Sequence, residues 1–249
     1  MRNIYIIGGG PGDPDLISLK AKKIIEKSDY IFMSQRYLNG AMFENIKEDC
    51  RLLDSFDYSY DEKLDFAKKA VGNNKIVSFI TMGDPALYGM VGGLVDRFEK
   101  NFLDFEIIPG INAALASSAS LKRGFTGLGL TNTSVCTSFN NVEESKDQLE
   151  KIAALDCSVS IFMGLENLKD IVQIFLKHRR ADTPMAIVSN ASWDNEEVLL
   201  GNLSNIMEKF EIGERKNSLI LIGDFLTAEY DYDLEKRFME MKKKSARNK

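Results

Sequence analysis

Short apolar runs rich in β-branched residues alternate with helical periodicity along this chain of 249 residues. The first half predicts strands at 4–7, 30–33, 51–53, 75–80 and 105–108, and helices at 15–27, 60–71, 87–99 and 112–121. Strands that alternate with helices in this way form parallel sheets through right-handed helical crossovers. The alternation therefore predicts an α/β fold with a parallel sheet in the first half.

The segment 122–130 interrupts the alternation. It contains Gly124, Gly127 and Gly129 and has neither helical nor strand periodicity, as expected of a linker. Beyond it the pattern restarts, with strands at 133–137, 159–163, 185–188, 197–200 and 218–222 and helices at 142–154, 168–177 and 205–210. We therefore predict two α/β domains, residues 1–121 and residues 122–249.

The charge and hydropathy of the chain disfavour several classes of protein. The formal net charge is −5, whereas nucleic-acid binders usually carry a basic excess. The one basic cluster, residues 242–249, is expected to be a solvated, frayed tail. No apolar run reaches the roughly 20 residues that a bilayer requires, and the N-terminus lacks the pattern of a signal peptide. We expect a cytoplasmic protein without nucleic-acid or membrane partners.

The number and spacing of the cysteine and histidine residues disfavour a metal site. Cys50, Cys136 and Cys157 have no CxxC spacing, and His178 is the only histidine. A structural zinc site needs four clustered ligands. We therefore expect reduced, mostly buried thiols and no metal. A Ser-His-Asp triad would depend on His178, which is expected to be an exposed residue near a helix end.

Glycine-rich and proline-rich loops directly follow three of the predicted strands, at residues 8–14, 81–89 and 109–114. The carboxyl ends of parallel strands meet at one edge of the sheet, where ligands of open α/β sheets bind. Glycine allows a ligand to approach the backbone, and proline fixes the loop before the ligand arrives. The three loops together predict a small-molecule site.

The first loop differs from a dinucleotide-binding loop. The third glycine position of a GxGxxG motif holds Asp13, and Pro11 lacks the backbone N–H that a pyrophosphate requires. An NAD-dependent oxidoreductase is therefore disfavoured. Asp13 and Asp84 suit a ligand with positive charge; the alternative is that each caps the helix after its loop.

The three loops, Gly8-Gly9-Gly10-Pro11-Gly12-Asp13-Pro14, Gly83-Asp84-Pro85 and Ile108-Pro109-Gly110, resemble those of the tetrapyrrole (corrin/porphyrin) methylases, and the likeness extends over essentially the whole chain. The resemblance implies a homodimer in which two α/β domains enclose S-adenosylmethionine in the cleft between them. It implies no particular catalytic residue. The cofactor contacts that it implies are Pro11, Gly83, Asp84, Leu87, Asn112, Ala113, Met163 and Ala191.

Two of the implied cofactor contacts have an alternative role. Leu87 and Met163 could equally be core residues, since apolar residues at strand ends usually pack inside.

A tetrapyrrole carries many carboxylates, which arginine and lysine bind. Arg36, Lys122 and Arg123, near predicted loops, are the candidates for that role, and solvated surface charge is the alternative for each of them.

Within the family, residues 190–203 and 221–230 resemble the precorrin-4 C11-methyltransferases of cobalamin synthesis. The chain departs from their pattern at Thr81-Met82, where His-Thr is usual, at 138–141, where an Arg-Thr-Pro loop is absent, and at Asp194, where proline is usual. Residues 79–88 are closer to the precorrin-2 C20-methyltransferases. The resemblance therefore implies methylation of precorrin-4 or its cobalt complex at C11. Another tetrapyrrole methylase and a non-catalytic S-adenosylmethionine-binding protein remain alternatives.

Overall fold

In a computed structural model of the protein, residues 2–34, 40–89, 91–210 and 217–247 are described. The chain divides into two compact units. The first unit is Met1–Ala116 together with Ser192–Asp194, and the second is Ser117–Ala191 together with Asn195–Lys249. Domains with bounds at 1–121 and 122–249 stay a prediction.

The first unit is built on a five-stranded sheet in which every neighbouring pair is parallel. The strands are β1 (Ile4–Gly8), β2 (Tyr30–Met33), β3 (Arg51–Asp54), β4 (Val77–Thr81) and β5 (Phe105–Ile108). The helices are α1 (Leu19–Ile25), α2 (Tyr60–Gly72), α3 (Gly92–Lys100) and α4 (Ala113–Ser120), the last of which continues into the second unit. The strand order is β3-β2-β4-β1-β5, which confirms the predicted parallel sheet.

Apolar side chains cover both faces of this sheet because successive residues of a strand point to opposite sides. Ile4 and Ile6 of β1 belong to a buried cluster with residues of α2 and α3, while Ile7 belongs to a cluster with residues of α1. Phe32 of β2 stacks on Phe79 of β4 with ring centroids 4.9 Å apart. Each such buried side chain stabilises the fold by about 1.5–3 kcal/mol.

The second unit contains a mixed five-stranded sheet in the order β6-β7-β10-β8-β9. Its strands are β6 (Ser134–Ser138), β7 (Ser158–Phe162), β8 (Pro184–Ser189), β9 (Glu197–Asn202) and β10 (Ser218–Ile222). Its helices are α5 (Val142–Ala153), α6 (Leu168–Leu176), α7 (Ile206–Lys209) and α8 (Tyr232–Arg247). Within the described residues, only β6 and β7 pair in parallel. No helix separates β8 from β9, and neighbouring strands without a crossover helix pair antiparallel.

Two predicted helices start later than the periodicity indicated. The first begins at Leu19 because Ser18 Oγ accepts a hydrogen bond from the amide of Ala21 at 3.2 Å, a helix N-cap. The helix predicted at 87–99 begins at Gly92 instead. Tyr88 has φ of +60°, and this left-handed conformation interrupts a right-handed helix.

The basic tail is solvated as predicted at residues 242–244, which are exposed, but it is not frayed as far as residue 247, because α8 extends to Arg247. Asp231 accepts a hydrogen bond from the amide of Leu234 at 2.8 Å at the start of this helix. The lysines 242–244 lie near its C-terminus, where positive charge interacts favourably with the helix dipole. Across the described parts of the chain, no helix has the length and apolar character needed to span a membrane.

Candidate functional site

The three glycine-rich and proline-rich loops emerge side by side. They follow β4, β1 and β5, which are adjacent in the sheet and parallel, so their carboxyl ends share one edge. This confirms the prediction that the loops lie together. We call this region the loop edge; it comprises the loops at residues 8–14, 81–89 and 109–114.

Backbone hydrogen bonds join the first two loops. The amide of Gly9 donates to Thr81 O at 2.7 Å, and the amide of Gly83 donates to Gly10 O at 2.8 Å. Gly10 and Gly83 form an isolated antiparallel bridge, with φ of +78° and +67°. Only glycine adopts such conformations readily, so these positions need glycine for the backbone itself.

The third loop approaches the other two so closely that no side chain fits between them. A Cβ on Gly8 would lie 2.6 Å from the amide nitrogen of Gly110 and 2.7 Å from Gly83 O. A Cβ on Gly110 would overlap Gly83 O and would lie 2.9 Å from Gly8 Cα. The loop edge is therefore held by direct backbone packing at these three glycines.

Asp84 uses both carboxylate oxygens within the loop edge. Oδ1 accepts a hydrogen bond from the amide of Ala86 at 2.8 Å, which caps the turn that follows. Oδ2 accepts from the amide of Gly110 at 2.9 Å, a residue 26 positions further along the chain. The expected alternative, a cap on the following helix, is wrong: α3 begins at Gly92 without a side-chain cap. The carboxylate instead caps a turn and connects the second loop to the third.

The neighbouring candidates Leu87, Asn112 and Ala113 lie in the same region. The amide of Leu87 donates to Asp84 O at 3.2 Å, and the Leu87 side chain is half-buried. Asn112 Oδ1 accepts from the amide of Leu115 at 3.1 Å and so caps α4, whose first residue is Ala113. A Cβ on Gly83 would lie 3.5 Å from Asn112 Cα. The structure therefore brings five of the candidate cofactor contacts together in the first unit.

Pro11 contacts a residue that the sequence reasoning did not single out. Trp193 Nε1 donates to Pro11 O at 3.0 Å, although the two residues are 182 positions apart. The amide of Asp13 donates to Ser192 Oγ at 3.1 Å, and Asp13 Oδ1 accepts from the amide of Asp15 at 2.8 Å. The one feature of the sequence that could have drawn attention to Trp193 is that it is the only tryptophan of the chain.

Two buried hydroxyl groups lie at the same edge of the sheet. Thr81 Oγ1 and Ser34 Oγ are inaccessible to solvent and have no hydrogen-bond partner among the described residues. Continuing the pairing of Phe32 with Phe79 by two residues places Ser34 opposite Thr81 on adjacent strands. Buried polar groups are normally hydrogen-bonded, so this pair is suited to a polar ligand group.

The other two candidate cofactor contacts belong to the second unit. Met163 directly follows β7, and Ala191 follows β8 by two residues. β7 and β8 both run antiparallel to β10 between them, so their carboxyl ends lie at one edge of this sheet. Met163 has φ of +53° and is 50% exposed, so core packing does not account for it. Ala191 is buried.

The structure describes two of the three candidate substrate residues. Arg36 lies outside the described residues. Lys122 and Arg123 are exposed in the second unit, directly after Leu121, and Arg123 Nε donates to Leu226 O at 3.0 Å. In the described residues, neither of the two forms an ion pair with a carboxylate. This leaves their positive charge available for an anionic ligand.

The cysteines and the histidine are not arranged as a metal site. Cys50 is half-buried, Cys136 is exposed and Cys157 is buried, so the expected burial is wrong for Cys136. Burial of the Cys136 sulfur nevertheless raises the pKa of its thiol, which disfavours a reactive thiolate. His178 is exposed, and its amide donates to Phe175 O at the end of α6. Within the described ranges, no three His, Cys, Asp or Glu side chains are grouped so as to hold a metal ion.

Comparison with known proteins agrees with the resemblance of the loops. Residues 3–207 match the family described as Tetrapyrrole (Corrin/Porphyrin) Methylases. A cobalt-precorrin-4 C(11)-methyltransferase of Methanocaldococcus jannaschii is 34% identical over 92% of this chain and 90% of its own. A uroporphyrinogen-III C-methyltransferase of Bacillus subtilis is 31% identical over 98% of this chain and 97% of its own.

Solved structures show the same fold. The X-ray structure of a cobalt precorrin-4 methyltransferase superposes with a TM-score of 0.85 at 26% identity, covering 90% of this chain and 96% of that one. A uroporphyrin-III C-methyltransferase from Thermus thermophilus, solved in complex with S-adenosyl homocysteine, superposes with a TM-score of 0.74 at 22% identity. It covers 91% of this chain and 99% of that one. Both likenesses extend over nearly the full length of each chain.

Proposed function

Because the chain belongs to the tetrapyrrole (corrin/porphyrin) methylases, we propose that it transfers a methyl group from S-adenosylmethionine to a ring carbon of a tetrapyrrole. The proposed acceptor is C11 of precorrin-4 or its cobalt complex, a step of cobalamin synthesis. The observation that carries this assignment is the 34% identity to a cobalt-precorrin-4 C(11)-methyltransferase over 92% of the chain. The 28% identity to a precorrin-4 C(11)-methyltransferase of Pseudomonas aeruginosa supports the same ring position.

A second candidate is the C-methylation of uroporphyrinogen III. The relative from Bacillus subtilis supports it, because it is 31% identical over an even larger share of this chain. Methylation of precorrin-2 at C20, which residues 79–88 suggest, is a further alternative, and supplying precorrin-2 as the acceptor in the same assay tests it.

The residues of the loop edge fit a cofactor with a positively charged sulfur. The carboxylates of Asp13 and Asp84 lie in the first two loops, and a buried hydroxyl pair at the sheet edge lacks a partner among the described residues. When bound, S-adenosylmethionine would supply the methyl group that an electron-rich ring carbon attacks in line, and S-adenosylhomocysteine would be the leaving group. The proposed contacts are Pro11, Gly83, Asp84, Leu87, Asn112, Ala113, Met163 and Ala191.

The protein's own contribution to such a displacement is position rather than acid–base chemistry. In-line transfer needs the two reactants held close and aligned. Asp84 and the glycine bridge between Gly10 and Gly83 fix the loops before a ligand arrives. Arg36, Lys122 and Arg123 are the proposed partners of the substrate carboxylates. No histidine is required for these roles.

We also propose that the protein works as a homodimer in the cytoplasm. The edge strand β9 supports a dimer, because its large apolar side chains Val198 and Leu200 are 43% and 55% exposed. An isologous dimer is the commonest symmetric assembly. Sedimentation at micromolar concentration should give twice the chain mass of 28.0 kDa; a monomer at that concentration would contradict the proposal.

One set of measurements tests the activity. Calorimetry with S-adenosylhomocysteine and with NAD should show binding of the first only. The purified protein, S-adenosylmethionine and cobalt-precorrin-4 should then yield a product heavier by one methyl group, with NMR placing it at C11. Methylation of uroporphyrinogen III instead would establish the second candidate. Cofactor binding without transfer to any of these tetrapyrroles would contradict the proposed activity.

A further inference from the structure

We propose that Ser192 and Trp193 are positioning residues that hold the first glycine-rich loop in the conformation that binds the cofactor. They come from a chain segment far from that loop in sequence, yet Ser192–Asp194 belongs to the first unit. The proposal rests on the proposed function, because it assigns Pro11 to the cofactor site. It adds two residues that act through the loop without contacting the cofactor themselves.

Trp193 makes one directional contact and one packing contact with the loop. Its Nε1 donates to Pro11 O at 3.0 Å. Its indole occupies the space beside Gly12, where a Cβ would overlap the ring. Pro11 has no backbone N–H, so its carbonyl is its one backbone hydrogen-bonding group. Trp193 therefore fixes the orientation of the peptide that links Pro11 to Gly12.

Ser192 holds the next part of the loop. Its Oγ accepts a hydrogen bond from the amide of Asp13 at 3.1 Å. Ser192 itself has φ of +70°, and Asn190 has φ of +50°. Left-handed conformations of residues other than glycine persist only where the surroundings impose them. The backbone before Trp193 is thus bent in an unfavourable way, and that bend presents both side chains to the loop.

The loop is consequently held at both ends. Gly9 and Gly10 bond to Thr81 and Gly83 of the second loop, while Ser192 and Trp193 bond to Asp13 and Pro11. A loop that is already ordered loses less conformational entropy when a ligand binds. Removing the hydrogen bond that involves Ser192 or Trp193 lets the loop populate other conformations. The apparent affinity for the cofactor then falls in proportion to the fraction of molecules whose loop remains in the binding conformation.

Three variants test the proposal. Trp193→Phe keeps an aromatic ring but removes the N–H donor, and Ser192→Ala removes the acceptor. Each should raise the Kd of S-adenosylhomocysteine about 3- to 10-fold, as expected for the loss of one neutral hydrogen bond. The KM for S-adenosylmethionine should rise with kcat unchanged, because the loop positions the cofactor in ground state and transition state alike. Ser192→Asn keeps a side-chain acceptor oxygen and tolerates the left-handed backbone at this position, so it should restore most of the affinity.

A matched control separates positioning from general destabilisation. Asn101→Ala removes a side-chain N–H that donates to the carbonyl of Arg97 at 2.8 Å, at the far end of α3. It should lower the melting temperature without changing the Kd. Because Trp193 is the only tryptophan, its fluorescence reports directly on the contact between Trp193 and the first loop. The emission should change when Ser192→Ala is introduced.

The outcomes distinguish this proposal from the proposed function. Wild-type Kd values in both Trp193→Phe and Ser192→Ala would overturn the positioning role and leave the methyltransferase assignment intact. A wild-type protein that binds no S-adenosylhomocysteine would overturn both. If Trp193→Phe does not fold, the comparison of Ser192→Ala with Ser192→Asn decides: equal affinities would overturn the proposal, and weaker binding by the alanine variant would support it.

Discussion

At the scale of single residues, Asp84 shows how one side chain serves more than one loop. Its two oxygens accept from the amides of Ala86 and Gly110. A local cap needs only the first of these bonds. The second joins loops that follow two different strands, and hydrogen bonds to a charged group contribute about 1.5–3 kcal/mol.

Asp84→Ser should therefore lower the free energy of unfolding more than the same substitution would at an aspartate that only caps a turn. Serine preserves the capping acceptor but cannot reach Gly110 with a second oxygen, so we expect a loss of about 1.5–3 kcal/mol. Asp54 provides the control, since it caps the turn after β3 through the amide of Phe56 at 2.9 Å. Asp54→Ser should lose well under ~1 kcal/mol.

Urea denaturation and calorimetry on the same samples measure both effects. A drop in cofactor affinity in Asp84→Ser, at a temperature where the variant is fully folded, would support a cofactor role for the carboxylate. Equal losses of stability in the Asp84 and Asp54 variants would show that the bond to Gly110 contributes nothing.

At the scale of elements, the three loops act as one packed unit. Gly8, Gly83 and Gly110 meet through backbone atoms alone. Backbone atoms cannot rotate away as a side chain can, so an added methyl group must displace a strand end. These glycine positions therefore do not tolerate an added side chain, although they lie in surface loops.

Gly110→Ala should destabilise the protein by about 1–3 kcal/mol, the usual cost of overpacking. Gly72→Ala is the control, because a Cβ at Gly72, the last residue of α2, meets nothing within 4 Å. That variant should gain about 0.4–1 kcal/mol. Urea midpoints measure both values. A Gly110→Ala variant as stable as the wild type would contradict the close backbone packing.

At the scale of the whole molecule, the sequence-based domain bounds are open to a direct test. The segment 122–130, proposed as the linker, is exposed at most of its positions. Loops with exposed backbone are the preferred sites of proteolytic cleavage. Limited trypsin treatment should cut after Lys122 or Arg123 and leave two fragments that mass spectrometry identifies. Earlier cleavage within α2 or α5, with 122–130 intact, would contradict a linker there.

The sequence by itself determined the order of the elements and the position of the three loops. Strand and helix periodicity and the glycine and proline positions are local properties, and they predicted the strand at Ser218–Ile222 to the residue. The resemblance of the loops correctly indicated the family. Helix starts were less predictable, because the cap at Ser18 and the left-handed Tyr88 depend on details that periodicity does not carry.

Only the tertiary structure decided which distant residues meet. The adjacency of β4, β1 and β5 turned three separate loops into one edge. The bond from Gly110 to Asp84 spans 26 residues, and the bond from Trp193 to Pro11 spans 182. Contacts over such separations leave no periodic trace in the sequence, because they depend on how strands pair rather than on local propensity. The antiparallel pairs of the second sheet were decided in the same way.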